Sequence, residues 1–171
     1  LITGLEDGTF KPEDPVNRAQ YAALLKGVLK GGQRPEIPFS DVPNSFWGSQ
    51  AIEQAVTSEF LQGYPDKTFK PEQPISKMQV LLSLASGFDL PKPADPDAAL
   101  QPLTNRDQIP DWAKPAVGAA AQSDVIVSYP DVQQFQPNQS VTRAEVAAML
   151  YQALKTKGDL PPIQSNYILR P

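Results

Sequence analysis

The chain has 171 residues, of which 40% are hydrophobic, so it is long enough for one globular domain with a hydrophobic core. It contains neither cysteine nor histidine, which excludes cysteine nucleophiles, Ser-His-Asp triads and ordinary zinc sites. The formal net charge of −4 argues against a nucleic-acid partner, and no apolar run approaches the roughly 20 residues of a membrane-spanning helix.

Three phased copies of one motif divide the chain. In each copy a phenylalanine in an extended segment is followed, eight residues later, by a cation: Phe10 and Arg18, Phe69 and Lys77, Phe135 and Arg143. The copies are 59 and then 66 residues apart, and a repeat of this length indicates one supersecondary unit that is used several times. We place the copies at residues 1–31, 39–88 and 103–157.

The first copy contains a loop at 4–8 and a helix that is predicted from Asn17 to about Lys30. Because the chain opens at Leu1 inside the motif, we expect a fragment or processed product whose first helix lies upstream. A short linker at 31–38 then leads to the second copy.

The second copy contains both of its helices. The first is capped by Asn44 or Ser45 and runs to about Phe60, with apolar residues at helical spacing. The second begins at Ser76 and ends near Gly87, which suits a glycine just beyond a helix end. Turn-forming sequences precede the two helices, at 39–43 and 62–67.

The third copy follows the same order of elements. Asp111 is predicted to cap its first helix, with Pro115 in the first turn, where proline is tolerated. Its second helix runs from Thr142 to about Lys157.

Two segments flank the third copy. Residues 89–102 are rich in Pro, Asp and Ala and are predicted to be a linker. The tail, 158–171, contains Tyr167, Ile168 and Leu169 and is too apolar to be free in solvent. We therefore expect the tail to pack back on the domain.

The second helix of every copy begins with a capping box, in which a cap side chain and a Gln or Glu three residues later bond reciprocally to the backbone. The boxes pair Asn17 with Gln20, Ser76 with Gln79, and Thr142 with Glu145. Such a cap stabilises a helix by roughly 1 kcal/mol. A strongly apolar helix follows each box, so we expect these three helices to pack together.

A cation follows each cap directly, at Arg18, Lys77 and Arg143. The first turn is the positive end of the helix dipole, so a cation there is unfavourable by roughly 0.3–1 kcal/mol and predicts a negative group nearby. That group is either internal, in the loops at Asp7, Asp66 and Asp131, or an external anion that the cation and helix N–H groups hold together. The two are not exclusive, and the residues alone leave both open.

Aromatic residues occupy matched positions in the second and third copies. Trp47 and Trp112 lie near the start of a first helix, either as core residues or as flat surfaces for stacking on a sugar ring. Tyr64 and Tyr129 lie at matched loop positions, and their hydroxyls are candidate donors to a polar ligand. The loop that begins at Gly63 is alternatively a tight turn and nothing more.

Together these residues resemble the S-layer homology (SLH) family of bacterial cell-envelope anchoring modules. The family's Phe-x-Asp-Val segment appears at 39–42, its tryptophan at Trp47, its Gly-Tyr-Pro-Asp-Gly-Thr-Phe-x-Pro segment at 63–71 and its Thr-Arg-Ala-Glu segment at 142–145. The resemblance covers nearly the whole chain. It implies a single, mainly α-helical domain, with three helix-loop-helix repeats in a pseudo-threefold arrangement around a central three-helix bundle.

The resemblance also implies a function, the non-covalent anchoring of a bacterial envelope protein to a peptidoglycan-linked cell-wall polysaccharide, which often carries pyruvate ketals. The implied location is the cell envelope, outside the cytoplasm: the cell wall, the S-layer or the periplasmic side of an outer membrane. A ketal carboxylate is the kind of anion that the misplaced cations require. The implied binding residues, in grooves between neighbouring repeats, are Arg18, Lys77, Arg143, Trp47, Trp112, Asp41, Gly63, Tyr64 and Tyr129.

The copies depart from the family pattern unequally. Lys77 replaces the arginine and keeps only a point charge, without the planar guanidinium fork. Leu5 and Glu6 replace Tyr-Pro in the first loop, and Ser128 replaces a glycine in the third. We therefore expect one or two competent grooves, sought around Arg143 and Arg18 before Lys77.

Two other functional classes compete with wall binding. The alternative is a structural or protein-interaction module for other envelope proteins, with degenerate grooves. An enzyme acting on wall glycans would need paired carboxylates, and the repeats mark no such pair. We expect no enzyme activity, no cofactor and no metal site, since no EF-hand spacing exists in the acidic loops, and no nucleic-acid partner or membrane insertion by this segment.

Overall fold

A computed structural model describes residues 4, 7–29, 39–158 and 160–170. Within these residues the protein is mainly α-helical and has no strand beyond isolated bridges, which confirms the expected fold class. No helix there is long and apolar enough to cross a membrane. The helices are α1 (Arg18–Lys26), α2 (Ser49–Thr57), α3 (Lys77–Gly87), α4 (Pro96–Ala99), α5 (Lys114–Gln122) and α6 (Arg143–Lys155), with short 3₁₀ helices at Arg106–Gln108 and Val132–Gln134.

The three predicted capping boxes are all formed, at the starts of α1, α3 and α6. The cap side chains of Asn17, Ser76 and Thr142 accept hydrogen bonds from backbone N–H groups at 2.8, 3.2 and 3.3 Å. In return, the Gln or Glu side chain accepts from the backbone N–H of each cap residue. Because capping depends on residues within one turn, the sequence predicts it well.

The first helices of the second and third copies begin later than predicted. α2 follows Gly48, without a side-chain cap, because residues 44–48 form turns in which the Phe46 N–H donates to the Pro43 carbonyl at 2.8 Å. α5 begins at Lys114, and Asp111 does not cap it but forms an ion pair with the Lys114 Nζ at 2.8 Å. Turns that start at proline therefore use the residues that were predicted to be caps.

The end of α1 and the segment 89–102 differ from the predictions, whereas the predicted end of α3 near Gly87 is confirmed. α1 ends at Lys26, whereas its predicted end at Lys30 and the linker 31–38 lie outside the described residues. Gly87 is the last residue of α3, and it lies against the ring of Phe60, where a Cβ would be 2.4 Å from the ring. The segment 89–102 is not a plain linker, because Asp95 caps α4 within it.

A closed ring of backbone hydrogen bonds joins the three copies. The N–H of Val16 donates to Val141 at 3.0 Å, that of Val141 donates to Ile75 at 3.0 Å, and that of Ile75 donates to Val16 at 3.1 Å. Each bonded residue lies two positions before the cation of its own copy. The ring makes the same contact in each copy, which is compatible with the pseudo-threefold arrangement.

The first N–H group of each capped helix donates a hydrogen bond to a neighbouring copy. The first N–H of α1 donates to Gln73 at 3.0 Å, that of α3 to Gln139 at 2.9 Å, and that of α6 to Asp14 at 3.0 Å. N–H groups in a first helical turn have no partner inside the helix, so these bonds satisfy groups that would otherwise need water. The first copy thus contacts the second, the second the third, and the third the first.

Helix packing follows the same order. α1 packs on α2 of the next copy, and α3 packs on α5 of the next copy, while α4 also packs on α5. A hydrogen bond of 3.0 Å between the Tyr21 and Ser83 hydroxyl groups, both buried, joins α1 to α3. The most extensive helix pairs therefore cross from one copy to the next.

The tail lies against the loop of the third copy. The Ser128 N–H donates to the Tyr167 carbonyl at 3.1 Å, and the Leu169 N–H donates to the Ile126 carbonyl at 2.9 Å. Ile168 and Leu169 are only 7% and 2% exposed. Residues 167–169 thus form one antiparallel bridge, through which Ile168 and Leu169 are buried while Tyr167 stays exposed.

We expect Leu169→Ala to lower the free energy of unfolding by about 2–4 kcal/mol, because it deletes buried methyl groups from the core. Ile163→Ala is the matched control in the same tail, and since Ile163 is 45% exposed its loss should stay within about 0.5 kcal/mol. Urea unfolding followed by circular dichroism measures both. Equal losses would show that the tail is not held by the Leu169 contact.

Candidate functional site

The loop around Phe69 is held by a single carboxylate from the preceding turn. Asp41 accepts the N–H of Phe69 through one carboxylate oxygen at 2.8 Å and that of Lys70 through the other at 2.7 Å. Asp41 is one of the predicted binding residues, and both its oxygens are occupied by this loop. Asp41 therefore stabilises the conformation of the loop around Phe69.

Arg18 reaches from the start of α1 into this loop of the second copy. Its Nε donates to the Phe69 carbonyl at 2.8 Å and its Nη2 to the Gln62 carbonyl at 2.7 Å. The guanidinium lies over the Phe69 ring, 4.3 Å from its centroid, and is 5.1 Å from that of Tyr64. Burial lowers the pKa of Arg18, and the nearby Tyr64 and Asp41 oppose that shift.

The charge of Arg18 has no carboxylate partner at ion-pair distance among the described residues. Its protein contacts are two neutral carbonyls and two aromatic rings, and Nη1 makes no hydrogen bond within that part of the chain. Because Nη1 is still available as a donor, this buried cation can bind one further acceptor.

Lys77, the matched cation of the second copy, is neutralised inside the protein. Its Nζ lies 2.5 Å from the Oε1 of Glu145, and the two side chains are 6% and 12% exposed. The matched positions in the other two copies are Gln79 and Gln20, which carry no charge. Among the described residues, a pair between a motif cation and the capping-box residue of the next copy therefore occurs at the junction of the second and third copies.

Arg143 contacts the first copy as Arg18 contacts the second. Its Nε donates to the Phe10 carbonyl at 2.8 Å, and its guanidinium lies over the Phe10 ring, 5.0 Å from the centroid. Leu5 and Glu6, the departures predicted to matter here, lie outside the described residues. Two of the three motif phenylalanines, Phe69 and Phe10, thus have a role, because each is the ring on which an arginine from another copy rests.

The aspartates predicted as internal partners of the cations do not pair with them in the described structure. Asp7 and Asp66 each accept two hydrogen bonds from the threonine two residues later, which lowers the pKa of both carboxyl groups. Asp131 accepts the N–H of Gln133 at 2.9 Å. That prediction was wrong because short polar side chains close their own turns first.

Both tryptophans are on the surface. Trp47 is 61% exposed and Trp112 is 71% exposed, so the alternative that placed them in the core is wrong. Trp47 packs against Phe46, and Gly48 beside it lies against Ala19, the residue after Arg18. Trp47 is thus anchored next to the junction of the first two copies.

The two matched tyrosines differ. Tyr64 is half-buried, with its hydroxyl 3.3 Å from the Gln73 Oε1 and the Lys70 Nζ 4.2 Å from its ring centroid. Tyr129 is 70% exposed and contacts Tyr167 of the tail edge-to-face. Tyr64 and Tyr129 therefore occupy matched positions in the sequence but have different neighbours in the structure.

Gly63 is required by a close approach. A Cβ at this position would lie 2.1 Å from the ring of Phe39, so any other residue would displace that ring. The loop is therefore more than a tight turn, because it forms one wall of a cleft of roughly 660 Å³. The cleft is lined by Phe39, Val56, Glu59, Leu61, Gln62, Gly63, Tyr64, Lys67 and Ser86.

Four predicted residues, Arg18, Asp41, Gly63 and Tyr64, thus meet around one loop between the first and second copies. Sequence reasoning missed the carbonyls of Gln62 and Phe69, which hold the guanidinium, since backbone acceptors carry no side-chain signal. The recurring phenylalanine was the available signal. No group of three or more His, Cys, Asp and Glu that could hold a metal occurs among the described residues.

We expect Lys77→Met to destabilise the fold by about 3 kcal/mol, because it leaves the Glu145 carboxylate buried without its partner. Adding Glu145→Gln should recover most of that loss, since glutamine serves the same capping position in the other copies. Denaturant unfolding of the two variants at neutral pH measures the difference. A double variant as unstable as Lys77→Met would contradict the role of the ion pair.

Comparison with known proteins gives the same assignment in all three copies. Residues 1–22, 38–81 and 106–147 match the S-layer homology domain family, which is well over half of the sequence. The chain is 27% identical to Cell surface glycoprotein 1 of Acetivibrio thermocellus over 173 aligned residues, covering 90% of this chain and 7% of that protein. It is 28% identical to the Cellulosome-anchoring protein of the same organism, covering 91% of this chain and 35% of the relative.

A third relative comes from another organism. The Surface-layer 125 kDa protein of Lysinibacillus sphaericus is 22% identical, over 95% of this chain and 14% of that protein. The chain therefore spans about a third or less of the length of these relatives. Two of them are named as proteins of the cell surface or the surface layer. This chain is a cell-surface module, and it belongs to the S-layer homology domain family.

Proposed function

We propose that this chain anchors a larger protein to the cell envelope by binding an anionic, peptidoglycan-linked polysaccharide at the junction of its first and second copies. Family membership and the surface location of the relatives support anchoring. The observation that carries the choice of ligand and junction is the environment of Arg18, a buried cation held by neutral carbonyls. The proposal concerns this module alone and includes no catalysis.

The anion would complete the hydrogen bonding of Arg18. Two of the guanidinium nitrogens are fixed on the Gln62 and Phe69 carbonyls, so the third is held in place before any ligand arrives. A carboxylate such as that of a pyruvate ketal accepts a charge-assisted hydrogen bond from such a donor, and preorganisation reduces the entropy lost on binding. The Lys70 ammonium, over the Tyr64 ring, adds positive charge beside the same loop.

The sugar ring would stack on Trp47. This indole is more than half exposed, rests on Phe46 and adjoins the residues that contact α1. A tryptophan that is anchored but open offers a flat apolar face at little entropic cost. Arg18 and Trp47 thus supply the two interactions, ionic and stacking, that an acidic polysaccharide needs.

The matched junction between the second and third copies is proposed to be inactive. Lys77 is already neutralised by Glu145, and the tail covers an edge of the third loop. Arg143 stays a proposed site at the third junction, since it rests on Phe10 as Arg18 rests on Phe69. Tyr129 and Trp112 would then serve no ligand at the inactive junction.

A protein-interaction module is the second candidate, and one observation favours it. The loop of the third copy binds an extended segment of polypeptide, the tail, rather than presenting an open groove. In this alternative the module binds other envelope proteins, and binding to the wall polysaccharide is absent.

The exposed tryptophans provide a matched test in which neither variant should unfold the protein. We expect Trp47→Ala to weaken binding to purified cell-wall sacculi by about tenfold, and Trp112→Ala to leave it unchanged. Co-sedimentation of each variant with sacculi measures binding, and thermal unfolding checks the fold. Equal binding by wild type and Trp47→Ala would remove Trp47 from the site, and no sedimentation of the wild type would favour the second candidate.

Arg18 is tested by a change that keeps its charge. We expect Arg18→Lys to abolish most of the sacculus binding, because an ammonium cannot hold two carbonyls and still present a planar donor to the ligand. The control is Lys77→Arg, which alters the matched position at the proposed inactive junction and should not change binding. A folded Arg18→Lys variant with wild-type binding would contradict the proposal.

A further inference from the structure

The extended segment Leu61-Gln62-Gly63 in the second copy has two edges. On one edge the Gln62 carbonyl accepts from Arg18. The carbonyl of Leu61 and the N–H of Gly63 face away from that contact, because successive residues of an extended chain point to opposite sides. Among the described residues neither group has a hydrogen-bond partner.

The matched segment of the third copy, Ile126-Val127-Ser128, uses the same two groups. The Ser128 N–H donates to the Tyr167 carbonyl at 3.1 Å, and the Ile126 carbonyl accepts from the Leu169 N–H at 2.9 Å. Val127 and Ile168 face each other in the resulting antiparallel bridge. The third copy therefore shows how an extended peptide binds along this edge.

The open edge of the second copy borders a cleft of suitable size and chemistry. The cleft of roughly 660 Å³ combines the apolar side chains of Phe39, Val56 and Leu61 with Glu59 and Lys67 of opposite charge. In the third copy, the peptide that occupies the matched edge has two adjacent aliphatic residues, both buried. Such a peptide would satisfy the two free backbone groups and bury aliphatic side chains in the cleft.

We propose that Leu61-Gln62-Gly63 and its cleft bind an extended segment of another polypeptide as an added antiparallel strand. The occupant has an aromatic residue followed by two aliphatic residues. The aromatic carbonyl accepts from the Gly63 N–H, and the N–H two residues later donates to the Leu61 carbonyl. Backbone bonds of this kind supply affinity, and side-chain pockets supply specificity.

This site shares the loop at Gly63 and Tyr64 with the polysaccharide proposal but uses different contacts. Arg18 holds the opposite edge of the segment, and the cleft lining includes neither Arg18 nor Trp47. A strand added at the open edge would leave the Gln62 carbonyl on Arg18. The module could then hold a wall ligand and a protein strand at the same time.

The probe is a fluorescently labelled peptide of residues 162–170, added to the full chain and followed by fluorescence anisotropy. We expect saturable binding that Ser86→Trp weakens by at least about tenfold, because the exposed Ser86 lines the cleft and a tryptophan there would fill it. Gln50→Trp, at an exposed position of α2 outside the cleft lining, is the matched control and should bind as wild type. A peptide with lysines in place of Ile168 and Leu169 should not bind.

Amide hydrogen exchange locates the bound peptide without any variant. Peptide should slow exchange of the Gly63 N–H and leave that of Ser128, already bonded to the tail, unchanged. The proposal would be overturned if the peptide did not slow exchange of the Gly63 N–H, or if Ser86→Trp bound the peptide as tightly as wild type. It would also be overturned if binding did not saturate at about 1 mM peptide. Sacculus binding should survive in Ser86→Trp, so failure of this site and failure of the polysaccharide site give different results.

Discussion

The ring of three hydrogen bonds among Val16, Ile75 and Val141 is the constraint on which the rest of the structure depends. Each bonded residue lies immediately before the cap residue of a helix, so the ring fixes where that helix starts relative to the next copy. The first N–H groups of the helix then find acceptors on the neighbour, and the cation of the motif is directed into the neighbour's loop. Helix direction, copy-to-copy packing and the position of the binding groups therefore follow from one closed contact.

The same position in the ring produces different chemistry in different copies. Arg18 and Arg143 place a planar fork over a phenylalanine ring and donate to its carbonyl. Lysine lacks that fork, and Lys77 instead pairs with Glu145 of the capping box that follows in the ring. The unfavourable position of the cation at a helix start is thus offset in different ways: Arg18 is held by two neutral carbonyls, whereas Lys77 is neutralised by a carboxylate.

Local features of the fold could be predicted from the sequence, and contacts between copies could not. The capping boxes at Asn17, Ser76 and Thr142 depend on residues within one turn, and all three are formed. The start of α2 was misplaced because a turn at Pro43 competes for the same residues. The Arg18 contacts join residues more than forty positions apart and end on backbone carbonyls, for which no residue type is diagnostic. Exposure of Trp47 also depends on how a neighbouring copy covers α2, which periodicity does not encode.

The closed ring distinguishes this module from open repeat arrays. In a solenoid each unit contacts only its sequence neighbours, so units can be added or removed one at a time. Here Val16, near one end of the chain, bonds to Val141, near the other, and a fourth copy would have no free position. The number of copies is therefore fixed by geometry. Because this contact forms only when the last copy is available, we expect the three copies to fold as one cooperative unit.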